Sequence, residues 1–194
     1  MYIIFEGVDT CGKSTQVELF AKKHKNIITT KEPGGTKVGQ KFRKILLESD
    51  EKLSMNAELL LFLADRAEHY EKIIKPILKE SYVISDRGLI SGIAYALANY
   101  PKLNRDFLLQ INKFALDGNL PDKVVLFKTT YDLITKRLGS KTKDTIEKRG
   151  IDYLLKVQEL MKETLEALHI DYIEVNSADT IEKIYKQIEE YLYD

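Results

Sequence analysis

The sequence predicts an α/β protein built on a five-stranded parallel sheet with helices on both faces, a three-layer arrangement. Two patterns carry that prediction. Five short apolar runs, rich in β-branched and aromatic residues, recur along the 194 residues: Tyr2–Phe5, Ile27–Thr30, Tyr82–Ser85, Val124–Phe127 and Tyr172–Val175. Longer segments with helical spacing separate them, and strands without polar alternation are those buried on both faces. No repeat, low-complexity tract or Pro/Gly/Ser-rich linker divides the chain, so one domain over residues 1–194 is expected.

Taken in order, the first strand runs into a glycine-containing loop that opens a helix over Lys13–Lys25. After the second strand, Glu32-Pro33-Gly34-Gly35-Thr36 breaks both regular structures and makes a turn. A helix over Val38–Leu47 and a long one over Asn56–Lys79 follow. The third strand ends in Asp86-Arg87, ahead of helices over Leu89–Asn99 and Asn104–Leu116. Ile151–Leu168 is helical before the fifth strand, and Thr180–Tyr193 after it.

Composition excludes several classes. Thirty basic and thirty acidic residues cancel, so no global field draws in nucleic acid or an anionic membrane, and any anion site must be built locally. The lone cysteine, Cys11, cannot form an internal disulfide, which fits a reducing compartment. No run of 18 apolar residues occurs, and Met1-Tyr2-Ile3 enters a strand with no charged targeting region. A cytoplasmic protein is expected.

Gly7-Val8-Asp9-Thr10-Cys11-Gly12-Lys13-Ser14 fits G-x-x-x-x-G-K-[ST], with a strand before it and a helix after. In such a loop the glycines let the backbone wrap closely and point its N–H groups at phosphate oxygens. Lys13 reaches the β- and γ-phosphates of a nucleotide, the Ser14 hydroxyl ligates Mg²⁺, and the positive end of the Lys13–Lys25 helix, with Thr15 in its first turn, adds to the field. Cys11 reads as a small residue that fits this loop. The loop alone does not separate switches, motors and kinases. The chain lacks an Asn-Lys-x-Asp guanine-reading sequence, and no strand ends in an acidic pair of the helicase kind. Asp86 and Arg87 instead stand at a strand's C-terminal end, where open α/β sheets bind ligands.

A second phosphate-bearing ligand needs more positive charge than Lys13. Only six of the thirty basic residues are arginines, and arginine's planar fork suits bidentate phosphate recognition. Arg43 follows the Pro-Gly-Gly turn, Arg87 follows the third strand, and Arg66 sits in the apolar stretch LLLFLADRAEH. There a guanidinium requires a cleft or a buried acid such as Glu68 or one on another helix.

The set FEGVD…GKSTQ, KEPGGT…FRKILL, LFLADRAEH and ISDRGLISGIAY, continued by LPDKVVLF and KDTIEKRG, resembles the thymidylate kinase family over most of the chain. The resemblance implies a P-loop NTPase-type fold with a mobile lid over about residues 138–150, and a homodimer. It implies transfer of the γ-phosphoryl group of ATP to dTMP with Mg²⁺. By that resemblance Arg43 holds the dTMP phosphate and Arg87 bridges acceptor and donor phosphates. Asp9 organises the acceptor end, and Asp86 joins Ser14 on the metal side. Phe62 stacks on thymine, Arg66 meets a base carbonyl, and Tyr95 lies under the sugar. Glu32 and Pro33 shape the acceptor pocket, with Ser91 as a polar contact.

The lid departs most from the pattern. Thr145 replaces an arginine, leaving Arg137, Lys141, Lys143, Lys148 and Arg149 as its basic set, with Arg149 first and Lys143 second as candidates for the ATP phosphates. Gly92 stands where many relatives carry a polar side chain near the thymine, and Lys128 where the fourth strand commonly ends in an acid. Two other readings share the P-loop: a kinase for another deoxynucleotide, against which Phe62, Arg66 and Tyr95 argue, and a non-catalytic ATP-binding switch. The switch reading leaves Arg43, Asp86 and Arg87 as structural ion-pair residues.

Overall fold

A computed structural model describes residues 1–138 and 150–193. Its five strands are β1 (Tyr2–Glu6), β2 (Ile27–Lys31), β3 (Tyr82–Asp86), β4 (Lys123–Lys128) and β5 (Tyr172–Asn176), all parallel, in the order β2-β3-β1-β4-β5. Each lies within two residues of the apolar run that predicts it. The helices are α1 (Lys13–Lys23), α2 (Lys37–Arg43), α3 (Met55–His69), α4 (Lys75–Ile77), α5 (Leu89–Asn99), α6 (Arg105–Ala115), α7 (Tyr131–Leu138), α8 (Ile151–Leu168) and α9 (Ile181–Tyr193). A π-helical turn, Lys44–Glu48, extends α2, and another, Tyr70–Ile74, joins α3 to α4 in one continuous helical run.

Both faces of β1 are buried, as its unbroken apolar run requires. Tyr2 and Ile4 face a core shared with Val83, Val124, Leu126 and helices α5, α6 and α8. Ile3 and Phe5 face the other way, against Phe20 of α1, Val125, Phe127 and Ile184 and Ile188 of α9. The chain leaves β1 for the far edge, returns to β3 beside it, then crosses to β4 on the opposite side. This strand order opens a crevice at the carboxyl ends of β1 and its neighbours, where ligands bind such sheets.

Side-chain caps start several helices. The Thr36 hydroxyl accepts from the Gly39 N–H at the start of α2, and the Asn104 side chain from the Phe107 N–H at the start of α6. The start of α5 is built differently. Gly88 has no side chain to offer, and the Glu6 carboxylate at the end of β1 accepts from the Gly88 and Ser91 N–H groups at 2.9 and 3.1 Å. The helix α7 was not anticipated from sequence, although Thr130 before it, Asp132 in its first turn and Lys136 and Arg137 in its last are ordinary helix-boundary signals.

Candidate active site

The loop after β1 is shaped by contact as much as by glycine flexibility. At Gly7, φ is +150°, and a Cβ there would lie 2.9 Å from both the Phe127 carbonyl oxygen and Cys11 Sγ. Cys11 is itself buried against Phe5 and Phe127, so its thiol is part of the core. Gly12 enters α1 with φ +100°. Lys13 is only 5% exposed, and its Nζ donates to the carbonyls of Gly7 and Val8 at 2.8 and 3.0 Å.

Register brings the second strand end to this loop. Phe5 pairs with Asp86, and the Arg87 N–H donates to the Phe5 carbonyl at 2.9 Å. Arg87 then takes φ +74°, a left-handed conformation that costs a side-chain-bearing residue roughly 1–2 kcal/mol. Its Nη1 donates to the Gly7 carbonyl at 2.6 Å and to Ser91 Oγ at 3.1 Å, while Nη2 pairs with Asp9 Oδ1 at 2.5 Å. Its guanidinium also lies 5.8 Å from the centre of the Tyr95 ring. Burial works to raise the Asp9 carboxyl, but Arg87 and then Lys13 outweigh it and hold the group below its ordinary value.

A cleft of about 540 Å³ opens over this arrangement. It is lined by Asp9 through Thr15 of the loop, by Asp86 and Arg87, and by Glu32, Arg43 and Arg137. Gly7 and Val8 belong to the same loop. Ser14 Oγ donates to Asp86 Oδ2 at 2.8 Å, so the two residues expected on the metal side face each other. Arg137 ties α7 to the cleft by donating to the carbonyls of Thr10 and Ser177, each at 2.8 Å. Ser177, Asp179 and Ile181 line the same end and were not singled out from sequence. Ser177 and Asp179 lie in the loop after β5 and Ile181 begins α9, a stretch with no motif. Lys143 and Arg149 lie outside the described residues, as does most of the expected lid.

Phe62, Arg66, Ser91, Gly92, Tyr95 and Pro33 do not line this cleft, although Arg66, Ser91, Tyr95 and Pro33 each contact a residue that does. Arg43 Nη1 donates to the Pro33 carbonyl at 3.0 Å, just after a cis Glu32-Pro33 bond. Half-buried Phe62 stands one helical turn before Arg66 on α3. The acid partnering Arg66 is neither Glu68 nor a helical residue but Glu32: Nε and Nη2 meet its Oε2 at 2.9 and 2.8 Å. His69 Nδ1 lies 2.9 Å from the other Glu32 oxygen, and its Nε2 2.7 Å from Thr30 Oγ1. Burial pushes the Glu32 carboxyl up, but Arg66 and His69 prevail and hold it below its ordinary value. Asp65 grips the same turn by accepting from the Gly34 N–H at 3.0 Å.

Glu6 and Asp65 are buried charged side chains that sequence reasoning missed; His69 stood out only as the histidine close to Arg66. Glu6 lies inside an apolar-looking strand, and Ser91 Oγ donates to its second oxygen. Burial, partly offset by the Ser91 bonds, leaves its carboxyl raised. Its position as the last residue of β1, directly before the glycine loop, is the one signal that could have flagged it.

The arrangement brings the glycine-containing loop, two lysines (Lys13 and Lys31), three arginines and a hydroxyl–carboxylate pair to one cleft. That is chemistry for aligning two anionic ligands. The family model described as Thymidylate kinase matches residues 5–188. Thymidylate kinases of Campylobacter curvus and a Sulfurovum species are each 53% identical to the chain, over 99% of both sequences. A crystal structure of thymidylate kinase from Ehrlichia chaffeensis superposes with a TM-score of 0.79 at 26% identity, covering 100% of this chain and 98% of that one. Sequence, fold and the composition of the cleft agree, and the chain belongs to the thymidylate kinase family.

Proposed function

We propose that the chain transfers the γ-phosphoryl group of ATP to the 5′-phosphate of dTMP, giving dTDP and ADP. The observation that carries this reading is the placement of Arg87. It touches the phosphate loop at Gly7 and Asp9 and faces the same cleft as Arg43 on the acceptor side. A group reaching both ends of a linear pair of phosphates can neutralise the charge that spreads between them.

The loop amides and Lys13 hold the donor phosphates, with Lys13 exchanging its carbonyl partners for phosphate oxygens. Arg43 holds the acceptor phosphate, and Asp9 fixes the Arg87 fork. A phosphate acceptor is already ionised at pH 7, so no side chain has to act as general base. Phe62, Arg66, Ser91, Gly92 and Tyr95 make the acceptor's base and sugar site, beside the turn of Glu32 and Pro33. Residues 1–194 form one kinase domain with a lid over about 138–150, where Lys143 and Arg149 add to Arg137 on the ATP side.

Among the described residues no group of three or more His, Cys, Asp and Glu side chains is placed to hold a metal. Mg²⁺ nevertheless fits the residues present, because it binds through one or two protein oxygens plus phosphate and water. Ser14 and Asp86 supply those oxygens. When bound, the ion neutralises charge on the transferring phosphates.

We further propose a homodimer through α3 and α6. Phe114 is 88% exposed, Leu60 63% and Phe107 50%, a large apolar surface on two helices that pack together. Among the described residues no helix is long and apolar enough to cross a membrane, in keeping with a cytoplasmic site of action.

Incubating the protein with ATP-Mg²⁺ and dTMP, dUMP, dCMP, dGMP, AMP or UMP tests the central reading. Transfer fastest to dTMP supports it; a different preferred acceptor, or none, overturns it.

A further inference from the structure

Glu6, the last residue of β1, has no exposed surface and lines no part of the active cleft. Both of its oxygens serve the segment that follows β3. Oε1 accepts from the Gly88 and Ser91 N–H groups at 2.9 and 3.1 Å, and Oε2 accepts from Ser91 Oγ. The first N–H groups of a helix have no partner within it, and its positive end favours a carboxylate. Three donors converging on two oxygens favour the ionised form against the burial that raises this carboxyl.

The same segment carries Arg87 in its left-handed conformation. The backbone there is tied on both sides. The Arg87 N–H donates to the Phe5 carbonyl at 2.9 Å, the Arg87 carbonyl accepts from Ser85 Oγ at 2.8 Å, and the next N–H, that of Gly88, goes to Glu6. The side chain is tied through Ser91. A hydroxyl has one proton and two lone pairs. The Ser91 proton goes to Glu6, so its oxygen is left to accept from Arg87 Nη1 at 3.1 Å. With the Gly7 carbonyl on Nη1 and Asp9 on Nη2, these contacts fix the angle at which the guanidinium meets the cleft it lines.

We infer that Glu6 is a positioning residue for phosphoryl transfer: it holds the turn at Gly88 and directs the Ser91 hydroxyl, and through both it sets Arg87 at the phosphate loop. This rests on the proposed kinase reading, in which Arg87 stands between donor and acceptor phosphates. Glu6 itself touches neither phosphate. In Glu6→Gln the amide oxygen can still accept from the Gly88 and Ser91 N–H groups, but the NH2 group then faces Ser91 Oγ as a donor. The hydroxyl proton loses its acceptor, and turned toward Arg87 Nη1 it would meet another donor.

The test is a double-mutant cycle. Glu6→Gln is made in the wild type and in Arg87→Ala, and all four proteins are melted and assayed for kcat with dTMP and for KM with ATP. In the wild-type background Glu6→Gln is expected to lower kcat about tenfold or more, the effect of losing one charge-assisted hydrogen bond. The KM for ATP should stay within about threefold. In the Arg87→Ala background the same change should cost less than about twofold, because a residue that acts through Arg87 has nothing left to position. A folded Glu6→Gln with kcat within about threefold of wild type, or an equal loss in both backgrounds, would make Glu6 a helix cap only and the inference wrong. Should Glu6→Gln fail to fold, Ser91→Ala, which removes the hydroxyl and spares the Gly88 bond, goes through the same cycle and decides, with Ser91→Thr expected to recover most of its loss. Absence of transfer to dTMP in the wild type would instead remove the functional reading, and this inference with it.

Discussion

Arg87 and Asp9 pair at 2.5 Å across the mouth of the cleft, though 78 residues separate them in the chain. The parallel register of β1 with β3 makes this possible by ending both strands at the same level. The pair holds a guanidinium in left-handed backbone beside the phosphate loop. Replacing Arg87 by Ala is expected to lower kcat by about 10²–10³, the usual effect of removing one donor from a developing charge. ATP binding should persist, because Lys13, the loop amides and Arg137 are untouched. Arg87→Lys keeps charge without the fork and should fall between the two. Steady-state rates with a separate nucleotide-binding titration check this; turnover within threefold of wild type in Arg87→Ala would sink the assignment.

The Ser14–Asp86 contact carries a prediction about the metal. Ser14 is exposed, so losing its hydroxyl should shift the melting temperature by no more than about 2 °C, in line with a change of under 1 kcal/mol. Transfer should respond far more. Ser14→Ala is expected to need about 10–100-fold more Mg²⁺ for half-maximal rate, and a chelator should abolish transfer in the wild type. An unchanged Mg²⁺ titration curve would place the ion elsewhere.

The exposed apolar surface of α3 and α6 gives a test of assembly. Phe114 contributes nothing to its own protomer's core at 88% exposure, so Phe114→Asp should leave the fold intact. Sedimentation at low micromolar concentration should show a dimer for wild type and a monomer for the variant. A wild-type monomer would leave this surface without the proposed role.

The fold was legible because β1, β3 and β4 are buried on both faces and so lack polar alternation, and because helices fill the intervals. The phosphate loop was legible because its glycines, Lys13 and Ser14 are adjacent in sequence. What was not legible depends on contacts between distant segments. Glu6 looks like a strand terminus, yet it caps α5 from across the sheet. Arg66 shows in sequence only that it needs an acid; the choice of Glu32 follows from how the Pro-Gly-Gly turn folds onto α3. Lys128 at the end of β4 finds a cross-strand partner in Glu174 of β5 at 3.3 Å. The helix α7 is short, and only Ile134 among the residues with described burial is fully buried, too little periodicity to stand out.

The Glu32–Arg66–His69 cluster predicts both a stability loss and a pH signature. Glu32→Gln removes the charge that compensates a buried guanidinium, which costs about 3–5 kcal/mol and, for a chain of this size, about 6–20 °C in melting temperature. The Glu32 carboxyl is held below its ordinary value in the folded protein. Its contribution is therefore present above the unfolded value, near about 4.3, and is lost as pH falls through the lower folded one. Glu6 and Asp65 are raised, so their contributions have the opposite sign: complete below the unfolded value and lost as pH rises through the folded one. The difference between wild type and Glu32→Gln isolates the Glu32 part. Denaturant unfolding from pH 7 down to pH 3 should show the gap between the two proteins narrowing on the acid side, mostly below about pH 4.5. A gap constant across that range would mean that the Glu32 carboxyl is not held low by Arg66 and His69, whatever its distance from them.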